Sequence, residues 1–326
     1  MRYLLPLHYI DTVARSGSIR RAADKLAITS TALNRRILAM EDELGVPIFE
    51  RLPRGVRLST AGELMIQHIR SQIADMERLR SQIADLSGAR RGHVSIVCGQ
   101  ALLPHFISEQ IALYRKEHPA VTFSVKVCDR KEAIEQLTSF DADISVVFEP
   151  FRTAEFQPLG RVEQRVRAIM SASHPLVSKQ KLSWSDLLSA SVVLPTASNG
   201  MRFILDDAML RKGDELKKII ESDNFDFIKN YLIHEDCISF QLPIGLRPDN
   251  AGTDTDSQIV SREIEERALP GGNLYVAQLK GRILPVASAL FANSVVKELE
   301  LRYATAVESE NSIDTAAGTQ RNKKVT

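Results

Sequence analysis

The sequence predicts a chain in two parts: a basic, all-helical head with a small β wing and a long following helix, then a two-lobed α/β domain. Three observations predict it. Two short helical patterns are joined by a tight polar turn within Ile19–Ile37. Apolar residues at helical spacing then fill residues 62–91. From residue 93 onward, strand and helix patterns alternate.

In the head, Ala22, Ala23 and Leu26 put small and apolar side chains on one side of the first helix. Leu33, Ile37 and Met40 recur at intervals of four and three, the period of a helix with one buried side. Thr29 or Ser30 supplies the N-cap, because a hydroxyl accepts from an orphan backbone N–H. The opposite face presents Ser30, Thr31, Asn34 and Arg35, groups that suit a DNA major groove. An ordinary helical bundle with a wet face has the same periodicity.

The following segment weighs against that plainer alternative. The helix runs through Leu44 to Gly45, a residue suited to a C-cap. Pro53-Arg54-Gly55 is a turn between two short extended runs, which makes a wing with Arg51, Arg54 and Arg57 on or beside it. Arginines there are placed to lie along phosphate or reach into a narrow minor groove. Residues 1–60 hold ten Lys or Arg against six Asp or Glu, a net of +4, whereas the whole chain is +1. A modest excess of this kind also suits a solvated surface; its concentration in the head favours nucleic acid.

Leu64, Ile66, Ile69, Ile73, Met76, Leu79, Ile83 and Leu86 mark a long amphipathic helix. It has more apolar face than one small domain needs. Packing on its own head is the simpler reading. A dimerisation helix and linker is preferred, because two reading heads a helical turn apart read a partly palindromic site better than one. Ser87-Gly88 loosens the helix before Arg90-Arg91.

Beyond it, His93–Cys98, Val121–Val127 and Ala142–Phe148 read as strands, separated by helices Leu103–Glu117 and Arg130–Phe140. That βαβαβ order implies a parallel sheet covered by helices. Gln164–Ser171 and Ala190–Leu194 read as strands of a second sheet, with Cys237–Leu242 a further short strand. Met201–Lys212 and Asp226–His234 read as helices, and Leu274–Leu279 with the final helix Val286–Leu301 returns to the first sheet. Crossing twice between sheets makes two lobes with a hinged cleft. In such folds ligands sit beyond strand carboxyl ends, where helix N-termini converge. That rule selects Gln100, Ala101 and Leu102 after the first strand, Phe148 at the end of the third, and Thr196, Ala197 and Ser198 before a helix carrying Arg202. These donors suit an anionic or polar ligand. Thr196 and Ser198 also fit a mere turn and N-cap.

Composition excludes several classes. No apolar run approaches the roughly 18 residues of a membrane span, and the short N-terminal apolar run flows into the first helix rather than forming a secretory signal. Cys98, Cys128 and Cys237 are widely spaced, form no CxxC or Cys/His metal pattern, and fit a reducing cytoplasm. His234, Glu235 and Cys237 are too close in sequence to converge on a metal. There is no GxSxG, GxxxxGK[ST] or HExxH. No enzymatic step, metal or cofactor is expected. Residues 247–257 read as an exposed polar loop, and residues 304–326 as a disordered tail whose Arg321, Lys323 and Lys324 are more simply solvated than DNA-bound.

The head resembles the winged helix-turn-helix of LysR-type transcriptional regulators. The pattern runs without a gap through Tyr9-x-x-x-Val13, Ser16-Gly17-Ser18, Arg21-Ala22-Ala23-x-x-Leu26, Ala32, Ile37, Glu41-x-Glu43-Leu44-Gly45-Val46-Pro47-Ile48-Phe49-Glu50-Arg51, and Arg54-Gly55-Val56-x-Leu58-Ser59-x-Ala61-Gly62. The order and length of the remainder extend the resemblance over about residues 2–303. It implies an N-terminal all-α winged helix-turn-helix with a long linker helix and a C-terminal two-lobed α/β periplasmic-binding-protein-like domain. The implied divisions are a DNA-binding domain at 1–61, a dimerisation helix at 62–91 and an effector-binding domain at 92–303. Within the last, lobe I takes about 93–163 and 270–303, and lobe II about 164–269. The implied partners are double-stranded promoter DNA, a small-molecule effector and further copies of the chain, as a homodimer assembling to a homotetramer. By the same resemblance, positions 100, 148 and 196–198 line the effector pocket.

Departures from the family pattern fall on both surfaces. Ser30 stands where glutamine is usual and Asn34 where serine is usual, while Met40 replaces a leucine. Ile233–Gly245 lacks the usual small-residue content and carries His234, Glu235, Asp236 and Gln241, which predicts a more polar or smaller pocket. The expected function is a cytoplasmic, effector-controlled, DNA-binding transcriptional regulator. The alternative is a DNA-binding regulator whose second half serves mainly in oligomerisation, without ligand response.

Overall fold

Three helices and a hairpin build the head around one small core. In this computed structural model the backbone is described for residues 4–86, 91–246 and 258–321, and side chains for the same residues except 84–86 and 304–321. The chain divides into two compact units, one built on residues 1–89 and one on the chain from Arg90 onward. The expected loop at 247–257, Ser87-Gly88 and the far end of the tail lie outside the described residues.

In the first unit α1 (Leu5–Ser16) begins with Pro6 and stops at Gly17, in the left-handed region at φ +59°. α2 (Ile19–Lys25) is capped by the Ser18 side chain, and α3 (Ser30–Leu44) by Thr29, whose hydroxyl accepts from the Ala32 N–H at 3.2 Å. Of the two cap candidates, Thr29 takes the role and Ser30 begins the helix. Between α2 and α3 the chain reverses through Ala27 at φ +53°, and the Ile28 N–H closes the turn on the Ala23 carbonyl at 3.1 Å. Ile10, Val13, Ala22, Ala23, Leu33 and Ile37 form the centre of the core, which Ile48, Ile66 and Ile69 complete. The small side chains of Ala22 and Ala23 let α2 approach this closely.

The wing is β1 (Phe49–Leu52) paired antiparallel with β2 (Gly55–Leu58). Gly55 sits at φ +131°, and a Cβ there would fall 2.3 Å from the Gly17 carbonyl oxygen. That oxygen accepts from the Val56 N–H at 3.0 Å, which pins the wing to the α1–α2 turn. At the wing's other end the Glu41 carboxylate accepts from the Ile48 and Phe49 N–H groups at 2.8 and 3.0 Å. α4 (Thr60–Leu86) follows; the Ser59 hydroxyl accepts from the Gly62 N–H and donates to the Pro47 carbonyl. Ile66 and Ile69 of α4 are buried in the head, whereas Leu64, Leu79 and Ile83 are exposed.

The second unit contains two sheets. The first is built from β3 (Gly92–Cys98), β4 (Val121–Val127), β5 (Ile144–Phe148), β6 (Phe156–Gln164) and β13 (Gly272–Leu279), in the order β4-β3-β5-β13-β6. β3 is parallel to β4 and β5, as βαβαβ requires, and β13 runs antiparallel to β5 and β6. α5 (Ser108–Glu117) and α6 (Arg130–Thr138) supply the crossovers; helical backbone already begins at Gln100 rather than Leu103. The strands of the second sheet are β7 (Arg167–Ser171), β8 (Lys181–Leu182), β9 (Ser191–Pro195), β10 (Lys217–Ser222), β11 (Cys237–Gln241) and β12 (Ile259–Ile264). Their order is β10-β9-β11-β7-β12-β8, with α7 (Trp184–Ser189), α8 (Gly200–Lys212) and α9 (Phe225–Tyr231) among them in the chain.

The expected single strand Gln164–Ser171 is two strand segments. β6 ends at Gln164 in the first sheet and β7 starts at Arg167 in the second. The chain changes sheet between them, and there the Gln164 side chain accepts from the Ile244 N–H at 3.2 Å. α10 (Val286–Arg321) closes the unit. It lies on β6 at Gly160, where a Cβ would come within 2.6 Å of Val296. Its helical backbone continues past Tyr303 to Arg321. A buried ion pair, Arg282–Asp143 at 2.5 Å, fixes the start of α10, with Asp143 also accepting from the Ser288 hydroxyl and the Ser95 N–H. Removing one partner strands a buried charge, at a cost of about 3–5 kcal/mol.

Candidate functional site

The outward face of α3 carries Ser30, Thr31 and Arg35, all exposed, with Asn34 half-buried between them and the wing. Asn34 Oδ1 accepts from Arg51 Nη2 at 2.8 Å, so helix and wing are joined across the face by two of the residues expected to touch DNA. Arg57 is paired with Glu50 at 2.6 Å across the hairpin. Arg54 is exposed at the turn and, among the described residues, has no ion pair. Arg36 points the other way and stacks on Tyr9, its guanidinium 4.7 Å from the ring centre. The face therefore offers one uncommitted arginine at the wing tip, one arginine shared with an amide, and hydroxyls at the start of a helix.

In the second unit a cavity of about 250 Å³ opens at the carboxyl ends of the strands. Gln100, Ala101, Leu102, Phe148, Thr196 and Ser198 all line it, as the strand-end rule selects. Gln100 Oε1 accepts from the Phe225 N–H at 3.0 Å, from the first lobe to the second. Thr196 and Ser198 hydroxyls lie 3.4 Å apart, while Asn199 takes the N-cap of α8 by accepting from the Met201 N–H. α8 comes so close to the end of β5 that a Cβ at Gly200 would lie 2.2 Å from the Phe148 carbonyl oxygen.

Two expected residues are elsewhere. Ala197 does not line the cavity, and Arg202 is committed to Asp206 at 2.6 Å, Glu221 at 2.9 Å and the Pro195 carbonyl. Nor do His234, Glu235, Asp236 and Gln241 make the cavity polar: Gln241 folds back onto the Leu242 N–H, and Leu242 reaches the cavity. Sequence reasoning missed the end of β4. There Cys128, Asp129, Arg130 and Glu132 line the cavity. Arg130 is buried between the rings of Phe151 and Phe203, 4.6 and 4.1 Å from their centres, and burial lowers its pKa against the pull of Glu149 and Asp129. All three thiols are buried. Burial pushes Cys98 up to about 12 and Cys237 up to about 11, and raises Cys128 as well. Among the described residues no group of three or more His, Cys, Asp or Glu is placed to hold a metal ion.

A head with a polar recognition face and a separate two-lobed domain with a strand-end cavity define a class: DNA-binding regulators with a ligand-binding domain. Family comparison gives the particular family. The bacterial regulatory helix-turn-helix protein, lysR family, matches residues 4–63, and the LysR substrate binding domain matches residues 87–300. The chain belongs to the LysR family. It is a DNA-binding transcriptional regulator with an effector-binding domain, and not an enzyme.

Among curated relatives, the HTH-type transcriptional activator CmpR of Synechocystis is 24% identical over 60% of this chain and 64% of its own length. HTH-type transcriptional regulator CbbR of Rhodospirillum rubrum is 25% identical over 86% of this chain and 96% of its own. Among solved structures, a full-length OxyR variant from Pseudomonas aeruginosa has the same fold at TM-score 0.69 and 20% identity, covering 90% of this chain and 94% of that one.

Proposed function

We propose that this regulator acts in the cytoplasm as a homodimer that assembles to a homotetramer, and that a small polar molecule with an anionic group, held between its lobes, changes how it engages promoter DNA. The cavity ringed by Gln100, Thr196 and Ser198 carries the effector reading. The exposed Leu64, Leu79 and Ile83 of α4 support self-association. In the head, Ser30, Thr31, Asn34 and Arg35 would meet base edges and Arg51, Arg54 and Arg57 the backbone. No chemical step is needed: an effector that binds two states unequally shifts the balance between them.

One observation favours the second reading, an assembly module without ligand response. Gln100 ties the two lobes directly to each other through the Phe225 N–H. Titrating metabolites into the promoter complex separates the two. Thr196→Val keeps most of the shape and removes a hydroxyl. It should weaken the response to effector while leaving effector-free DNA binding nearly intact. An unchanged midpoint and amplitude would remove Thr196 from the pocket, and a promoter complex deaf to every metabolite would favour the assembly reading.

A further inference from the structure

The charges around the cavity do not suit a plain anion. Arg130 is 9% exposed and its Nε is spent on the Glu149 carbonyl oxygen. Among the described residues its two Nη atoms have no hydrogen-bond acceptor, although the group is nine-tenths buried and lines the cavity. Packed between two rings, the guanidinium keeps its Nη atoms open to the cavity, and a carboxylate matches that fork in two parallel bonds.

Three carboxylates share the same lining. Glu132 is neutralised by Lys126 at 2.6 Å. Asp129 uses one oxygen to accept from the Lys131 and Glu132 N–H groups at 2.9 and 2.7 Å, and its other oxygen has no partner among the described residues. Asp223 is exposed at the rim and has no ion pair among the described residues. A dicarboxylate would bring its second charge against Asp129 and Asp223, and a simple amine would leave the two Arg130 Nη atoms without an acceptor, although Glu149 and Asp129 draw on the Arg130 charge.

Resting on the effector reading of this cleft, we propose that the effector is a small zwitterion of amino-acid type, its carboxylate received by Arg130 and its ammonium by Asp129 and Asp223. The hydroxyls of Thr196 and Ser198 then complete the shell around the carboxylate.

The test uses the purified full chain and four probe sets: the common amino acids, their 2-oxo acids, the corresponding amines lacking the carboxylate, and small dicarboxylates. Thermal shift and calorimetry read binding, since a ligand of the native state raises Tm. At least one amino acid should bind, and its 2-oxo acid and amine should not. Arg130→Gln should weaken that binding at least roughly tenfold, as should Asp223→Asn, a change at an exposed site that spares the fold. Binding of oxo acids or dicarboxylates instead would overturn the zwitterion and leave the effector reading standing. So would a shift produced by a small-molecule filtrate of cells but by no amino acid. No shift from any probe or filtrate would overturn both. Amino-acid binding untouched by either substitution would remove Arg130 and Asp223 from the site.

Discussion

Single residues explain most of the head's motif. Gly17, Gly55 and Gly62 are places where the backbone of one element touches another, and Glu41 and Ser59 satisfy amides and carbonyls that the wing leaves open. Asn34 and Arg57 divide the expected work on DNA. Asn34→Ala should change preference among operator variants, because a bidentate base contact is worth about 1–3 kcal/mol of discrimination. Arg57→Ala should weaken good and poor sites about equally. Competition binding on single-base operator variants reads both, and equal loss across all variants for Asn34→Ala would take it out of base readout. The bond from Arg51 to Asn34 adds a further expectation: their substitutions should not be additive.

The cysteines give a pH prediction. Cys98 is raised by burial from an ordinary value near 9 to about 12. Its contribution to stability is fully present below the unfolded value and is lost as pH rises toward the folded one. At pH 8 all three thiols should react slowly with a disulfide reagent in the native protein and fast in urea. A fast native thiol would contradict this placement.

At the scale of elements, strong period and hard stops were legible. The helices of the head, α4, β3, β4, β5 and β11 stand where their patterns put them: β5 and β11 are buried throughout, the helices bury one stripe, and β4 keeps its alternating sequence although only Val121 is buried. What was not read is mostly sheet edge. β6 is an edge strand carrying Pro158 and Gly160 with a bulge between them, β10 is exposed and bulged, and β8 has two residues. Such strands bury too little to leave an alternating signature.

The cavity follows the same logic. Gln100, Thr196 and Ser198 follow strands that were recognised as rim strands. Arg130 stands in Asp129-Arg130-Lys131-Glu132, which reads as the solvated start of a helix, and only the position of β4 beside β3 turns it inward. Applying the strand-end rule to β4 would have found it. For α4, the apolar residues beyond the head bear on assembly. Leu79→Glu with Ile83→Glu should convert a dimer to a monomer on sizing with helical content retained, because two charges in an apolar seam cost more than the seam returns. A wild-type chain that is monomeric at micromolar concentration would contradict the dimer.

At the scale of the whole molecule, a head that reads DNA is carried by a domain built to hold a ligand, and regulation requires the two to be coupled. Coupling is a free energy between sites and must appear in both directions: effector alters operator affinity, and operator alters effector affinity. Everything else rests on the head reading sequence. The most direct measurement is binding of the full chain, at several moderate salt concentrations, to the DNA upstream of its own gene against scrambled DNA of equal length, with Arg54→Ala in parallel. The upstream DNA should be preferred and protected in a footprint. Arg54→Ala should bind both DNAs more weakly and reduce the salt slope by about one counterion, with thermal stability unchanged. Equal affinity of the wild type for upstream and scrambled DNA would contradict the account.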